Sequence, residues 1–580
     1  MKLMFKYIMK NKLLMTFNII GLFCFALVEL GIPTVVSKII DDGIAKQDIA
    51  YVWWMGLIIL VLALIGSAGT VLLIYASSKI STNAARDIRN DIFSKSQTFS
   101  HAEYDKFGIS SMIIRTTNDV FQLQQFINLV LRTALLTPLM IVASISMTLY
   151  TSTSLSMVVG IAIPIMLVAI VIMAAFVKPI SERQQMYLDR LNQVSRENLT
   201  GVRVIRAFRK EEYEINRFHE SNKNFTKETK KIFKLMSLSQ PSFVFLLNFA
   251  VLGVFIVSSN LINTGSLEVG QMVAFMDYQF HTMFSFMLFA LVFSLYPRAR
   301  VSAGRISELL REEPSIHNEA IDTEIHSDKI GTLEFDHVSF TYQHTKKPVL
   351  HDITFSAKRG ETVAIIGSTG CGKSTLIQLI PRFYDVTEGS IKIDGVDVRN
   401  YDLETLRNKI GFIPQKTILF SGTIADNMRF GKHDANEKEL VEAAKVAQAY
   451  DFIMDKPDQF DEMVYEGGTN MSGCQKQRMS IARAVIRNPE IYIFDDSFSA
   501  LDFKTDATLR AQLKEITTDS IVVIVAQRIS SIMDANKIIV LDNGEIVGYG
   551  SHADLIQTCP VYLEIAESQL TKEELAKWTK

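Results

Sequence analysis

The chain has 580 residues, 48% of them hydrophobic, a formal net charge of −2 and a mean hydropathy of +0.18. This length predicts two or more domains, and the near-neutral charge gives no support for a nucleic acid as a partner. The four cysteines, Cys24, Cys371, Cys474 and Cys559, are far apart and form no metal-ligand motif. We therefore expect free thiols in a reducing compartment.

Long apolar runs dominate the first half of the sequence. Six of them reach the roughly 20 residues that a helix needs to cross a bilayer. They cover approximately Leu13–Val36, Val52–Ser77, Ile127–Leu149, Leu155–Val177, Pro241–Ser259 and Met272–Leu295. We predict a transmembrane domain over residues 1–300, a charged linker over 301–330 and a soluble α/β domain over 331–580.

Lysine and arginine are concentrated near the N-terminus and in two long connections, about Ser78–Gln125 and Lys178–Gln240. Cytoplasmic loops carry such an excess, so we place the N-terminus, both connections and the C-terminal half in the cytoplasm of a multi-pass cell-membrane protein. Both connections have a helical pattern and are expected to extend the membrane helices. Each contains a predicted break, at Tyr104–Gly108 and at Glu197–Gly201, that is a candidate contact with the cytoplasmic domain.

Three charged residues, Glu29, Arg132 and Asp277, lie in or near the apolar spans. Charge is costly inside a bilayer and often marks function there. For Glu29 and Asp277, a position near the outer headgroups explains the sequence equally well. Phe and Met residues between Phe275 and Phe289 suit an adaptable apolar cavity, although ordinary helix packing accounts for most such residues.

A phosphate-binding motif follows the apolar run at residues 362–366. It has the pattern G-x-x-x-x-G-K-S and consists of Gly367, Ser368, Thr369, Gly370, Cys371, Gly372, Lys373, Ser374 and Thr375. In such loops the glycines let backbone N–H groups curve around phosphates, the lysine reaches the outer phosphates and the serine hydroxyl binds Mg²⁺. We therefore predict that the second domain binds ATP with Mg²⁺.

A second apolar run, at residues 491–494, ends in two aspartates. Asp495 is expected to hold Mg²⁺ through water at the end of a buried strand. The next position normally supplies the base that orients the attacking water, and here it is Asp496.

Between these motifs lie Ser472, Gly473, Cys474 and Gln475. Here the chain resembles the ATP-binding cassette (ABC) family, whose signature reads L-S-G-G-Q. The resemblance extends over essentially the whole chain, because six spans with long cytoplasmic loops precede one cassette, as in type IV ABC exporter half-transporters. It implies an α-helical membrane domain of six transmembrane helices and an α/β P-loop nucleotide-binding domain.

The resemblance also implies roles for single residues. Tyr342 is similar to the aromatic residue that stacks on adenine, and Gln415 to the glutamine that contacts Mg²⁺ and senses the membrane domain. Gln527 occupies the position of the switch histidine, and Ser499–Asp502 matches the D-loop. The two breaks in the cytoplasmic connections would be coupling helices.

In this family the signature of one cassette closes over the P-loop of another, so the resemblance implies two chains and two composite ATP sites. Asp496 is one methylene shorter than glutamate, and Gln527 cannot carry a positive charge. Both changes weaken hydrolysis more than ATP binding, which predicts a degenerate site in a heterodimer; a slow homodimer is the alternative.

Cys474 replaces the second signature glycine, on the side expected to serve the competent site. Its side chain adds bulk near the phosphate and disfavours a positive φ. Either the loop tolerates it, or hydrolysis at the partner site is slowed, or the thiol was introduced deliberately.

We expect one subunit of a heterodimeric exporter of amphipathic compounds. A lipid or peptide exporter of the same fold is one alternative. A regulatory or channel-like membrane protein that ATP gates without pumping is another.

Overall fold

The computed structural model describes residues 2–318, 330–343, 345–499 and 501–575, and the chain divides into two units. The first unit contains Met1–Gln97 and Ile109–Glu312, and the second contains Thr98–Gly108 and Glu313–Lys580. A short segment from the middle of the first half therefore belongs to the second unit. The boundaries at residues 300 and 330 stay a prediction, and residues 319–329 of the proposed linker lie outside the described residues.

The first half of the chain is helical. Its helices are α1 (Lys2–Ile8), α2 (Lys12–Lys38), α3 (Ile49–Gln97), α4 (His101–Phe107), α5 (Ile109–Ile114), α6 (Val120–Leu129), α7 (Leu136–Thr151), α8 (Thr153–Ala207), α9 (Glu211–Asn263) and α10 (Val269–Arg311), of which α4 lies in the second unit. Among the described residues, six helical stretches are long and apolar enough to cross a membrane, and each contains one predicted span. The fold class predicted for this half is confirmed.

The two long connections are helical extensions of the apolar spans, as expected. Helix α8 has 55 residues, which at 1.5 Å per residue corresponds to about 80 Å, far more than the roughly 30 Å of a bilayer core. The break predicted at Tyr104–Gly108 is present, because α4 ends there and Gly108 has a φ of 74°.

The break predicted at Glu197–Gly201 is wrong, since α8 runs through it without interruption. A glycine inside a helix costs only about 1 kcal/mol relative to alanine, which the neighbouring turns outweigh. The Thr200 hydroxyl donates to the carbonyl oxygen of Arg196 at 2.7 Å within the helix. The chain turns after Ala207 instead, where Arg209 has a φ of 54°.

The second unit is an α/β domain. Its strands are β1 (Thr332–Phe340), β2 (Leu350–Lys358), β3 (Thr362–Gly367), β4 (Glu388–Ile393), β5 (Val396–Asp397), β6 (Ile410–Ile413), β7 (Gly422–Thr423), β8 (Met463–Val464), β9 (Ile491–Asp495), β10 (Ile521–Val525), β11 (Lys537–Asp542) and β12 (Glu545–Gly550). Its further helices are α11 (Lys373–Gln378), α12 (Leu403–Asn408), α13 (Ile424–Arg429), α14 (Glu437–Val446), α15 (Tyr450–Met454), α16 (Gly473–Val485), α17 (Phe503–Ile516), α18 (His552–Thr558), α19 (Pro560–Gln569) and α20 (Lys572–Leu575).

The main sheet has the strand order β12-β11-β3-β10-β9-β6, with parallel pairing from β11 to β6. A four-stranded antiparallel sheet of order β2-β1-β4-β5 and the β7-β8 pair complete the strands. Every residue of β9 and β10 is buried, as expected for parallel strands covered on both faces. Because β10 lies between β3 and β9, the carboxyl ends of these three strands meet at one edge of the sheet. The next residues in the chain form the candidate site.

Candidate functional site

The loop that follows β3 depends on glycine at three positions. Gly367, Gly370 and Gly372 have φ values of 158°, 87° and 103°, which side chains rarely permit. A Cβ on Gly367 would lie 2.0 Å from the carbonyl oxygen of Leu541, and one on Gly372 would lie 2.8 Å from Leu350 Cδ2. The loop therefore has the tightly curved backbone that the sequence motif predicts.

The side chain of Lys373 folds back over this loop. Its ammonium group donates to the carbonyl oxygens of Gly367 at 2.8 Å and Ser368 at 2.7 Å. The Cys371 thiol is buried, with its sulfur 3.7 Å from the Lys373 nitrogen. A positive charge is thus held at the loop, where it can contact an anion.

Ser374 and Asp495 join the loop to the end of β9. The Ser374 hydroxyl donates to Asp495 Oδ1 at 2.9 Å. Burial raises the pKa of the Asp495 carboxyl above its ordinary value, and the hydrogen bond from Ser374 opposes this shift. A hydroxyl beside a carboxylate offers the oxygen ligands that Mg²⁺ prefers, so these residues fit a magnesium ion.

Asp496 and Gln527, the two departures from the family pattern, are in direct contact. Asp496 Oδ2 accepts hydrogen bonds from Gln527 Nε2 at 2.7 Å and from Gln415 Nε2 at 3.1 Å. The Asp496 backbone has a φ of 47°, and its N–H donates to the carbonyl oxygen of Val525 on β10. Burial raises the pKa of the Asp496 carboxyl. Two neutral amides therefore hold one carboxylate oxygen, and neither supplies a positive charge.

These groups surround one cavity of about 230 Å³. Its walls include Thr369, Gly370, Gly372, Lys373, Ser374, Thr375, Gln415, Asp495, Asp496 and Gln527. The structure thus brings together the predicted phosphate loop, the magnesium ligands and both altered residues. A curved loop of backbone N–H groups, an ammonium group and adjacent oxygen ligands fit a nucleotide polyphosphate with its cation.

Tyr342 lies beside this cavity. Its hydroxyl is 3.0 Å from Thr375 Oγ1, within hydrogen-bond distance. Its ring meets those of Phe340 and Tyr384 edge to face, with centroid distances of 4.8 and 5.3 Å. The hydroxyl is anchored next to the loop, and the ring is only half-buried.

Tyr384 was not identified from the sequence, whereas its partner Asp105 on α4 lies in the segment Tyr104–Gly108 that was predicted to contact the second domain. The Tyr384 hydroxyl donates to Asp105 Oδ2 at 3.0 Å. The sequence signal was a pair of consecutive aromatic residues, Phe383 and Tyr384, soon after α11. Its partner, 279 positions away, could not be identified from spacing.

The predicted signature forms the start of α16. The Ser472 side chain accepts from the N–H of Gln475 at 3.3 Å, and the Gln475 side chain accepts from the N–H of Ser472 at 3.0 Å. This reciprocal capping box is a stable helix start. Gly473 is the first helical residue, and the four signature residues are not among those that line the cavity.

Cys474 lies in the first turn of α16 and is not among the residues with positive φ. The expectation that this position needs a positive φ, which favours glycine, is therefore wrong. Cys474 has ordinary helical dihedrals, which accommodate a Cβ. Its sulfur lies 3.3 Å from the Ser472 hydroxyl oxygen. In the predicted D-loop, Ser499 donates to the carbonyl oxygen of Asp496, while position 500 lies outside the described residues.

The three charged residues in or near the apolar spans differ in their partners and in their exposure. Glu29 Oε2 on α2 lies 3.4 Å from His281 Nε2 on α10, and the two form an ion pair when the imidazole is protonated. Asp277 and Arg132 have exposed side chains. The Glu29–His281 pair belongs to two apolar spans, where ionisable groups are rare and usually functional.

Residues 15–287 match the family model for the ABC transporter transmembrane region, and residues 350–499 match the model for the ABC transporter. The chain belongs to the ABC transporter family. The ABC transporter ATP-binding protein YfiB of Bacillus subtilis is 37% identical over 548 residues, 94% of each chain. A putative multidrug export ATP-binding/permease protein of Staphylococcus aureus is 33% identical over 482 residues, 83% of each chain.

The solved structure of a bacterial Atm1-family ABC exporter with ATP bound aligns with a TM-score of 0.77 at 23% identity, covering 96% of this chain and 98% of that one. The fold is therefore that of an ABC exporter half-transporter. Family membership makes the chain a multi-pass membrane protein with an ATP-binding domain whose ATPase activity is coupled to transport. ABC exporters work as dimers.

Proposed function

We propose that this chain is one subunit of a heterodimeric, ATP-driven exporter of amphipathic drugs and xenobiotics, and that its own P-loop builds the slow ATP site. The observation that carries this proposal is the contact between Gln527 and Asp496. The two residues expected to promote hydrolysis instead hold each other, and a third side chain, Gln415, binds the same oxygen.

The residues around the cavity have separate roles in binding ATP. The phosphate loop from Gly367 to Thr375 binds the phosphates with its backbone, and Lys373 contacts the outer ones. Ser374, Gln415 and Asp495 hold Mg²⁺, which neutralises part of the phosphate charge when it is bound. Tyr342 presents its half-buried ring to the adenine.

Hydrolysis is slow at this site for two reasons. The Asp496 carboxylate ends one methylene short of a glutamate, and a displacement of about 1 Å costs roughly 10²-fold in rate. Gln527 donates a neutral hydrogen bond where an imidazolium would donate a charged one. ATP binding depends on the phosphate loop and Tyr342 and not on Asp496 or Gln527, so the affinity for ATP is retained.

The signature serves the other site of the dimer. The N-terminus of α16 presents backbone N–H groups and the Ser472 side chain to the γ-phosphate bound by the partner. Cys474 has helical dihedrals and leaves those N–H groups in place, which supports a competent site there. The partner is a second ABC half-transporter with glutamate and histidine at the positions of Asp496 and Gln527.

Export of amphipathic compounds is supported by the Staphylococcus aureus relative, which is named as a putative multidrug exporter. The excess of lysine and arginine in the long connections supports a cytoplasmic N-terminus and a cytoplasmic nucleotide-binding domain. Export of a lipid or peptide by the same fold is the second candidate. An ATP-gated membrane subunit that does not pump is the third.

The test is to express this chain alone and together with the product of the adjacent open reading frame, for which we expect a second half-transporter. We expect the pair, but not the single chain, to purify as a stable dimer with brisk ATPase activity and to accumulate an amphipathic dye in inside-out vesicles. A fast, stable homodimer would overturn the pairing. No ATP-dependent accumulation of any amphipathic dye would overturn export.

A further inference from the structure

The second unit contains another cavity, which we call the aromatic cavity. It has a volume of about 390 Å³, and its walls include Asp105, Phe340, Tyr342, Tyr384, Asp385 and Thr387. All of these residues belong to the second unit. The aromatic cavity shares no lining residue with the cavity around the phosphate loop. Its volume lies in the range of small-molecule sites, roughly 300 to 1,000 Å³.

Three aromatic rings in mutual contact form one wall of the aromatic cavity. Tyr342 lies 4.8 Å from Phe340 and 5.3 Å from Tyr384 between ring centroids, with interplanar angles of 81° and 89°. Phe340 and Tyr384 are 5.5 Å apart and inclined at 55°. Because the rings are inclined in different directions, they cannot all turn their edges towards the cavity. A ring face carries partial negative charge, so this wall attracts a cation.

The charged groups at the aromatic cavity are both carboxylates. Both oxygens of Asp385 accept hydrogen bonds from Arg382, at 2.7 and 3.2 Å, so this charge is compensated. Asp105 Oδ2 instead accepts from the neutral hydroxyl of Tyr384 at 3.0 Å. Burial, reinforced by Asp105, raises the pKa of the Tyr384 hydroxyl above its ordinary value, so the hydroxyl stays protonated at neutral pH.

The charge of Asp105 therefore has no cationic partner among the lysine, arginine and histidine side chains that the structure describes. A bound anion would be repelled by this carboxylate. A neutral apolar molecule would cover the rings and leave the carboxylate without a partner. An organic cation satisfies both features, because its charge can lie near Asp105 and the ring faces while its apolar body covers the aromatic wall.

We propose that the aromatic cavity binds a small organic cation, namely a quaternary ammonium or protonated amine that carries an apolar group. Its cationic head lies between Asp105 and the rings of Tyr342 and Tyr384, and its apolar group packs on Phe340. The site depends neither on the compound that is transported nor on the identity of the partner subunit, because all of its residues belong to one unit of this chain.

The test is photoaffinity labelling of the full chain in lipid nanodiscs, with para-azidobenzyltrimethylammonium as the probe and without ATP. Labelled peptides are identified by mass spectrometry, which distinguishes the aromatic cavity from binding among the spans. We expect label in peptides that contain residues 101–107 and 340–343. Two competitors of the same shape are then compared: benzyltrimethylammonium, which is charged, and neopentylbenzene, in which a carbon atom replaces the nitrogen. The neutral competitor should need a concentration about tenfold higher to halve this labelling, because it loses the attraction of both the rings and the carboxylate.

Substitutions separate the two contributions. Asp105→Asn keeps the size of the side chain and removes its charge, so the half-inhibiting concentration of benzyltrimethylammonium should rise about threefold. Tyr384→Leu removes one ring and should raise it by about two- to fivefold, whereas Tyr384→Phe keeps the ring and should leave it unchanged. Asp352→Asn is the matched control, because it removes an exposed carboxylate of the same unit that pairs with His337 and does not border the cavity. Binding of a fluorescent ATP analogue checks that each variant is folded.

Three results would overturn the proposal. The first is the absence of competable label in residues 101–107 and 340–343, including label found only among the spans. The second is equal competition by neopentylbenzene and benzyltrimethylammonium in the unchanged chain, a comparison that needs no substitution and decides the matter even where a variant misfolds. The third is a folded Asp105→Asn variant that behaves like the Asp352→Asn control.

Discussion

Restoring glutamate and histidine at the slow site should raise ATP turnover by this chain. We consider the double variant Asp496→Glu with Gln527→His. In the present structure one oxygen of Asp496 is held between the amides of Gln415 and Gln527, at 3.1 and 2.7 Å. Lengthening the acid moves its carboxylate forward, and replacing the Gln527 amide by histidine adds a group that can carry a positive charge.

The size of the effect follows from geometry and charge. One methylene adds a carbon–carbon bond of about 1.5 Å, and a misplacement of about 1 Å costs roughly 10²-fold. Replacing a neutral donor by a charged one strengthens a hydrogen bond by about 1 to 1.5 kcal/mol, or roughly tenfold in rate. We expect Asp496→Glu alone to give most of the increase and the pair to reach about 10²- to 10³-fold.

The assay is phosphate release in lipid, with ATP saturating, by this chain paired with a partner whose own catalytic glutamate is replaced by glutamine. Adding Asp495→Asn to the double variant is the control, because it removes the expected magnesium ligand and should return turnover to background. A double variant within twofold of the unchanged chain would refute the geometric argument. Slow hydrolysis at this site would then have a cause other than the length and charge of these two side chains.

Four other changes test separate parts of the structure. Gly367→Ala places a Cβ 2.0 Å from the Leu541 carbonyl oxygen and should abolish binding of a fluorescent ATP analogue. Ser472→Ala removes a helix cap worth about 1 kcal/mol; it should lower the melting temperature and slow hydrolysis at the partner's site, while ATP binding to this chain's P-loop is unchanged. Burial raises the pKa of Asp495, so the folded protein retains a proton that the unfolded chain releases, and stability falls as pH rises through that interval. Asp495→Asn should therefore raise the nucleotide-free melting temperature more at neutral pH than below the ordinary aspartate pKa. Glu29→Gln removes the carboxylate of an ion pair within the spans and should reduce transport of cationic dyes more than that of uncharged dyes in the vesicle assay.

The sequence predicted those features that depend on local spacing. Span length is fixed by bilayer thickness, and all six spans were identified. The phosphate loop was identified from its glycines and Lys373, which lie within a few positions of each other. The prediction of a break at Glu197–Gly201 was wrong because a glycine alone does not end a helix whose flanking turns are well formed.

Contacts between distant residues could not be predicted in this way. Gln527 meets Asp496 because β10 lies directly beside β9, and strand order is a property of the folded sheet. The pairing of Tyr384 with Asp105 depends on a helix that joins the second unit from elsewhere in the chain.

The contribution of residues 98–108 to the second unit has a consequence for synthesis of the protein. Helix α4 leaves the ribosome 277 positions before Tyr384. At about 5 to 20 residues per second, α4 waits roughly a quarter of a minute to one minute for its partner Tyr384. During that time its apolar residue Phe107 and its acidic residues have no folded surface to pack on. The nucleotide-binding domain therefore finishes folding only around a segment made much earlier, and a fragment starting at residue 313 would lack a piece of its own domain.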